Sequence, residues 1–99
     1  MAIVEVSITP LGTVSTSVSS YVAGCLRLVR ESGLSYQLTP MGTIIEGDLD
    51  AILSTVRRMQ ESVFAAGAER VSTLIKIDDR RDRPGHSMSG KVASVEAKL

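Results

Sequence analysis

The side chains best suited to chemistry are concentrated in one stretch, Ser35-Tyr-Gln-Leu-Thr-Pro-Met-Gly-Thr-Ile-Ile-Glu-Gly-Asp48. It contains an aromatic ring that can stack on a flat ligand, hydroxyls that donate and accept hydrogen bonds, and one carboxylate. The spacing of the whole chain supports no serine–histidine–carboxylate arrangement, so the expected chemistry is binding and not catalysis. The candidate ligand-binding residues in this stretch are Tyr36, Thr39, Met41, Gly42, Thr43 and Glu46.

A second turn sequence repeats the first. Thr9-Pro-Leu-Gly-Thr13 and Thr39-Pro-Met-Gly-Thr43 share the pattern TPxGT, which adds Thr9 to the candidate residues. Two interpretations are open at this point. The threonines either make ordinary hydrogen bonds within two independent turns, or they form two parts of one site.

Hydrophobic periodicity predicts the elements that position these turns. Alternation of apolar and polar residues indicates strands, and apolar residues recurring every three or four positions indicate helices. The last nine residues, 91–99, are compatible with a short helix or an extra edge strand. The other predicted elements are strands Ile3 to Thr9, Leu34 to Thr39, Thr43 to Gly47 and Arg70 to Asp79, a helix from about Val18 to Ser32, and a helix between its cap Asp48 and Gly67.

The resulting order, βαββαβ, predicts one α+β domain over residues 1–99. The most economical arrangement is a ferredoxin-like sandwich, an antiparallel four-stranded sheet with two helices on one face. In this topology the first and second strands run parallel with the third between them. Their carboxyl ends, and therefore both TPxGT turns, are expected at the same edge of the sheet.

The hairpin register decides where the carboxylate points. A three-residue loop, Pro40-Met41-Gly42, with Gly42 at positive φ, would pair Thr39 with Thr43 and Tyr36 with Glu46. Glu46 would then lie on the helix-covered face. There it would meet a ligand, or it would form a salt bridge to Arg57 or Arg70 or reach solvent at the end of the sheet. A two-residue loop would shift the pairing and turn Glu46 elsewhere.

The uncovered face of the sheet is expected to be half apolar. A sheet with one open, partly apolar face usually finds a partner, which predicts a homo-oligomer packed sheet against sheet. The residues assigned to this face are Ile3, Glu5, Ser7, Gln37, Ile45, Leu74 and Lys76.

Composition narrows the possible functions. Eleven basic and eleven acidic residues give zero formal charge, and only three residues are aromatic, which argues against a nucleic-acid surface. No apolar run is long enough to cross a membrane, and the first residues do not resemble a secretory signal, so a cytoplasmic protein is expected. Cys25 lies on the apolar helix stripe as an inert buried thiol, His86 is a lone loop histidine, and no metal or cofactor site is expected.

The hairpin sequence from Tyr36 to Asp48, together with the Thr-Pro-Leu-Gly-Thr turn and the ending Lys91-Val-x-Ser-Val-Glu96, resembles the YkoF-like family of small thiamine-binding proteins. The resemblance covers essentially the whole chain. It implies a ferredoxin-like fold, dimers and tetramers (dimers of dimers) formed through the sheets, and binding of thiamine or its hydroxymethylpyrimidine part in salvage, transport or buffering, without catalysis. Two alternatives stay open: a regulatory domain that senses another small metabolite, and an enzyme whose site forms only between subunits.

Overall fold

The strands form where apolar and polar residues alternate along the chain, and the helices connect them. A computed structural model describes residues 1–12, 19–82 and 87–99. The strands are β1 Ala2–Leu11, β2 Ser35–Thr39, β3 Gly42–Gly47 and β4 Arg70–Asp79. The helices are α1 Ser19–Ser32, α2 Leu49–Ala65 and α3 Met88–Glu96. Among these described residues, no helix is both long and apolar enough to span a bilayer.

The sheet order is β2-β3-β1-β4, and every neighbouring pair is antiparallel. β1 and β2 therefore run parallel with β3 between them, and α1 and α2 pack on one face. This confirms the predicted ferredoxin-like βαββαβ sandwich. The core fills the space between the sheet and these two helices; its largest fully buried side chains are Ile45, Ile52, Val4, Val6, Val29 and Val63. Burying each of them contributes about 1.5–3 kcal/mol.

The helix ends follow the predicted local chemistry. The Asp48 carboxylate accepts a hydrogen bond from the Ala51 amide at 3.1 Å, which caps the first turn of α2. Gly33 ends α1 with φ +76°, a conformation that a side chain would strain. The start of α1 expected at Val18, its hydroxyl caps between Ser15 and Ser17, Thr13 of the first TPxGT turn and the loop residue His86 lie outside the described residues.

The predicted hairpin register is wrong by one residue. Thr39 pairs with Gly42, and Tyr36 pairs with Ile45, so the loop is the two residues Pro40-Met41. Gly42 does not adopt positive φ. Its missing side chain serves a close approach instead, because a Cβ there would lie 2.8 Å from the Val6 carbonyl oxygen.

The shift exchanges the two faces of β3. Ile45, predicted on the open face, is fully buried under the helices, and Ile44 lies on the open face in its place. Glu46 pairs with Ser35 and Ile3, so it also lies on the open face and not in the apolar face predicted for it.

Glu46 and Asp78 hold the start of α3 against the sheet. The Met88 amide donates to Glu46 Oε2 at 2.8 Å, and Lys91 Nζ pairs with Asp78 Oδ2 at 2.6 Å. Residues 91–96 are thus helical, which resolves the alternative left open by the sequence. No residue of α3 is buried, and both of these contacts lie in its first turn.

Candidate functional site

The sheet narrows from four strands to two at one end, and the candidate site lies at this step. Pairing between β1 and β3 stops at Val6 and Thr43, whereas pairing between β1 and β4 continues to Leu11. β3 begins at Gly42, directly after the turn, so the second half of β1 extends with β4 beyond the end of the β2–β3 hairpin and leaves a notch there. A cavity of about 200 Å³ occupies this notch. Its lining consists of Val6, Ser7, Ile8, Thr9, Val22, Cys25, Leu38, Thr39, Pro40, Met41, Gly42, Thr43 and Met59.

Thr39 builds the turn that forms one wall of this cavity. Its hydroxyl accepts from the Gly42 amide at 3.1 Å and the Met41 amide at 3.3 Å, and it donates to the Gly42 carbonyl at 2.8 Å. Two accepted bonds and one donated bond use the full capacity of a hydroxyl. Thr39 therefore fixes the shape of the wall, and its hydroxyl is already occupied.

Thr43 brings a hydroxyl that the described residues leave unpaired. The residue is only 7 % exposed and lines the cavity, and no described residue makes a hydrogen bond to its hydroxyl. Thr55 is buried to the same degree, at 5 % exposure, but its hydroxyl donates to the Ala51 carbonyl at 2.9 Å. Because a buried hydroxyl without a partner is costly, a hydrogen bond from a molecule in the cavity to Thr43 would remove this cost.

The two helices supply an apolar, sulfur-containing wall. Val22 and Cys25 of α1 and Met59 of α2 face the cavity from the helix side. The Cys25 thiol lies 3.6 Å from the Met59 carbonyl oxygen and 3.8 Å from the Ser62 hydroxyl. Burial raises the pKa of Cys25, and the Ser62 contact opposes this only in part, so the thiol is neutral at pH 7.

Cys25 was expected only as an inert buried thiol, and both Cys25 and Met59 are buried. Their role as a cavity wall depends on β1 extending past the end of the β2–β3 hairpin, which apolar periodicity does not encode. With Met41 they place three sulfur-containing side chains around the cavity, and such side chains make favourable contacts with aromatic rings.

The described lining carries no charged side chain. It combines hydroxyls, backbone and apolar groups, which suits an uncharged polar ring better than an ion, because an ion would lose its hydration without a counter-charge. The described part of the chain also contains no group of three histidine, cysteine, aspartate or glutamate side chains that could hold a metal ion.

The structure brings together five of the candidate residues. Thr9, Thr39, Met41, Gly42 and Thr43 line the one cavity, so the carboxyl ends of β1 and β2 meet at the same edge as expected. The described parts of the two TPxGT turns are neighbours in space.

Tyr36 and Glu46 do not line this cavity. The Tyr36 ring packs beside the core, and its hydroxyl accepts a hydrogen bond from Arg30 Nε at 3.3 Å. Glu46 binds the amide at the start of α3 on the other face of the sheet. The two side chains predicted to face each other are therefore on opposite faces.

Known proteins match this chain along almost its whole length. Residues 4–96 match the model of the family described as thiamine-binding protein. The chain is 42 % identical to the UPF0045 protein of Methanothermobacter thermautotrophicus, covering 100 % of both chains. It is 42 % identical to the UPF0045 protein YqgV of Bacillus subtilis, covering 100 % of this chain and 98 % of the other.

A solved structure shows the same fold. The crystal structure of protein MJ1052 from Methanocaldococcus jannaschii superposes with a TM-score of 0.87 at 34 % identity, covering 96 % of this chain and 95 % of that one. The sheet order and the two covering helices are therefore an arrangement that a related chain also adopts.

Proposed function

Since this chain belongs to the thiamine-binding protein family, we propose that it binds thiamine, or the hydroxymethylpyrimidine part of thiamine, without converting it. Salvage, transport and buffering are the roles that such binding would serve. The observation that carries the proposal is the cavity between the two turns, where the buried Thr43 hydroxyl has no partner among the described residues.

The size of the cavity favours one ring. Drug-sized ligands occupy pockets of about 300–1,000 Å³, and this cavity measures about 200 Å³. A substituted pyrimidine is small enough to enter, whereas both rings of thiamine together would exceed the space. In the proposed complex the pyrimidine enters, and the thiazolium of intact thiamine stays at the opening.

The charges of the two rings of thiamine also favour entry of the pyrimidine. The thiazolium ring carries a positive charge, and the described lining offers no carboxylate to balance it. The aminopyrimidine is neutral and carries donors and acceptors that hydroxyls can satisfy. Contacts from Thr43, from Thr9 at the rim and from Met41, which is 84 % exposed beside the opening, are proposed. Tyr36 and Glu46 are left out of the proposed site.

Titration calorimetry tests the proposal with hydroxymethylpyrimidine, thiamine and the isolated thiazole alcohol. The first two are expected to bind with affinities within about tenfold of each other, and the thiazole alcohol is expected to give no heat. No heat from any of the three at millimolar concentration would contradict thiamine-related binding and favour sensing of another metabolite. Mass spectrometry of the incubated ligands completes the test, because a new product would show catalysis.

We also propose that a second copy of the chain covers the open face of the sheet. Leu74 on this face is 74 % exposed, and α3 presents Val92 and Val95, both more than half exposed. An apolar surface of this kind is typical of an interface. Sedimentation at micromolar concentration is expected to show a dimer or tetramer, and a single species of monomer mass would contradict this proposal.

A further inference from the structure

The contacts of Gly42 show to which side of β1 the backbone N–H and C=O groups point at the notch. A Cβ on Gly42 would lie 2.8 Å from the Val6 carbonyl oxygen, so this carbonyl points from β1 towards β3. In an extended strand the N–H and C=O of one residue point to the same side, and the direction repeats at every second residue. The N–H and C=O of Ile8 therefore point to the same side as those of Val6, into the notch.

No described residue of β3 stands opposite Ile8. The last pair between the two strands joins Val6 to Thr43, and the chain then leaves β1 through the turn at Met41. On its other side β1 stays paired with β4 through Ser7 and Thr9. Ile8 lines the cavity. Among the described residues, its N–H and C=O therefore have no strand partner on this side, inside the proposed binding site.

We infer that the N–H and C=O of Ile8 recognise the amidine edge of the pyrimidine, the exocyclic amino group and its adjacent ring nitrogen. The ring nitrogen accepts from the Ile8 amide, and the amino group donates to the Ile8 carbonyl. The ring thereby occupies the place of a residue of β3. This inference rests on the proposed function, because it specifies how the same cavity selects its ligand.

The chemistry of both partners supports this pairing. Ile8 is half-buried, and a backbone amide and carbonyl that are shielded from water without partners lose the free energy of hydrogen bonds. A ligand that carries a donor and an acceptor side by side satisfies both with one flat group. The cavity has no charged side chain among the described residues that would serve the same purpose.

A proline substitution removes the proposed donor selectively. Ile8→Pro deletes the amide that faces the notch and leaves the pairing of its neighbours with β4 intact. Pro10 lies two residues further along β1, so its backbone nitrogen points to the same side as that of Ile8. Because Pro10 still pairs with Val71, β1 accepts a proline at such a position. Ile8→Ala is the matched control, because it shortens the side chain and keeps the amide.

Calorimetry with hydroxymethylpyrimidine is expected to show a loss of tenfold or more for Ile8→Pro and less than threefold for Ile8→Ala. The analogue with methyl in place of the amino group is expected to bind the unaltered protein at least fivefold more weakly than hydroxymethylpyrimidine. Equal affinities of the two variants would overturn the inference. Absence of binding to the unaltered protein would instead refute the proposed function.

A measurement without substitution covers the case in which Ile8→Pro does not fold. In ¹⁵N-labelled protein, saturating hydroxymethylpyrimidine is expected to slow hydrogen exchange of the Ile8 amide and to shift its resonance. The Ser7 amide, which faces β4, provides the internal control and is expected to change little. An Ile8 amide that exchanges equally fast with and without the ligand would overturn the inference.

Discussion

Replacing Thr43 with valine removes one hydroxyl and leaves the shape of the side chain almost unchanged. In the ligand-free protein this hydroxyl is buried, and no described residue bonds to it. The substitution should therefore remove the free-energy cost of an unsatisfied hydroxyl, and it should break no hydrogen bond among the described residues. In the complex the same hydroxyl is proposed to bond to the ligand, so the substitution should weaken binding.

Thr43→Val should therefore raise the stability of the protein and lower its affinity for the ligand, by similar free energies. An unsatisfied buried hydroxyl costs roughly 1–3 kcal/mol, so we expect Thr43→Val to raise the free energy of unfolding by about 1 kcal/mol. For a chain of this length that corresponds to a rise in Tm of about 4–8 °C. Loss of one hydrogen bond, about 0.5–1.5 kcal/mol, should reduce the affinity for hydroxymethylpyrimidine about 2- to 12-fold.

Urea unfolding measures the first effect, and titration calorimetry measures the second. Thr55→Val is the matched control, because Thr55 is equally buried but its hydroxyl donates to the Ala51 carbonyl. This control should leave ligand affinity unchanged and should not stabilise the protein. The reasoning is refuted if Thr43→Val is no more stable than the unaltered protein and binds the pyrimidine equally well.

Three further substitutions test the turn, the thiol and the anchor of α3. Gly42→Ala should destabilise the fold by at least 1 kcal/mol in urea unfolding, since its Cβ would lie 2.8 Å from a backbone oxygen. Gly24→Ala, inside α1 with open space around it, is the control and should stabilise by about 0.5–1 kcal/mol. Equal effects of the two substitutions would contradict the close approach of Gly42 to β1. Because burial raises the pKa of Cys25, its contribution to stability should be complete below about pH 8.5 and should be lost as pH rises through the folded-state pKa. Unfolding measured from pH 7 to pH 10 should show this loss, and Cys25→Ala should lack it. Glu46→Ala should accelerate hydrogen exchange of the Met88 amide, because this amide donates a hydrogen bond to Glu46 at 2.8 Å. The affinity for the pyrimidine should stay unchanged, and a large loss of affinity would show that Glu46 belongs to the binding site.

The fold could be predicted because its signals are local. Alternation fixed the limits of β4 at Arg70 and Asp79, the Asp48 carboxylate marked the start of α2, and Gly33 marked the end of α1. Each of these signals depends on the residues immediately around it. The meeting of the two turns followed from the order of elements alone.

The register could not be predicted, because the role of Gly42 depends on a strand distant in sequence. Glycine after Thr-Pro-Met is compatible with a bulge at positive φ or with close packing, and only the nearby Val6 carbonyl selects the second. The three bonds made by the Thr39 hydroxyl then close the two-residue loop. This one-residue difference moved Glu46 to the open face.

Pro10 gives the extension of β1 beyond β3 a further consequence. An unpaired strand edge usually attracts another extended chain, which leads to aggregation. Here the free edge begins after Val6, and Pro10 has no N–H to offer only four residues later. A peptide that tried to add as a strand would therefore find a single residue, Ile8, with both groups available. The notch is therefore long enough for the proposed flat ring and too short to pair with an added strand.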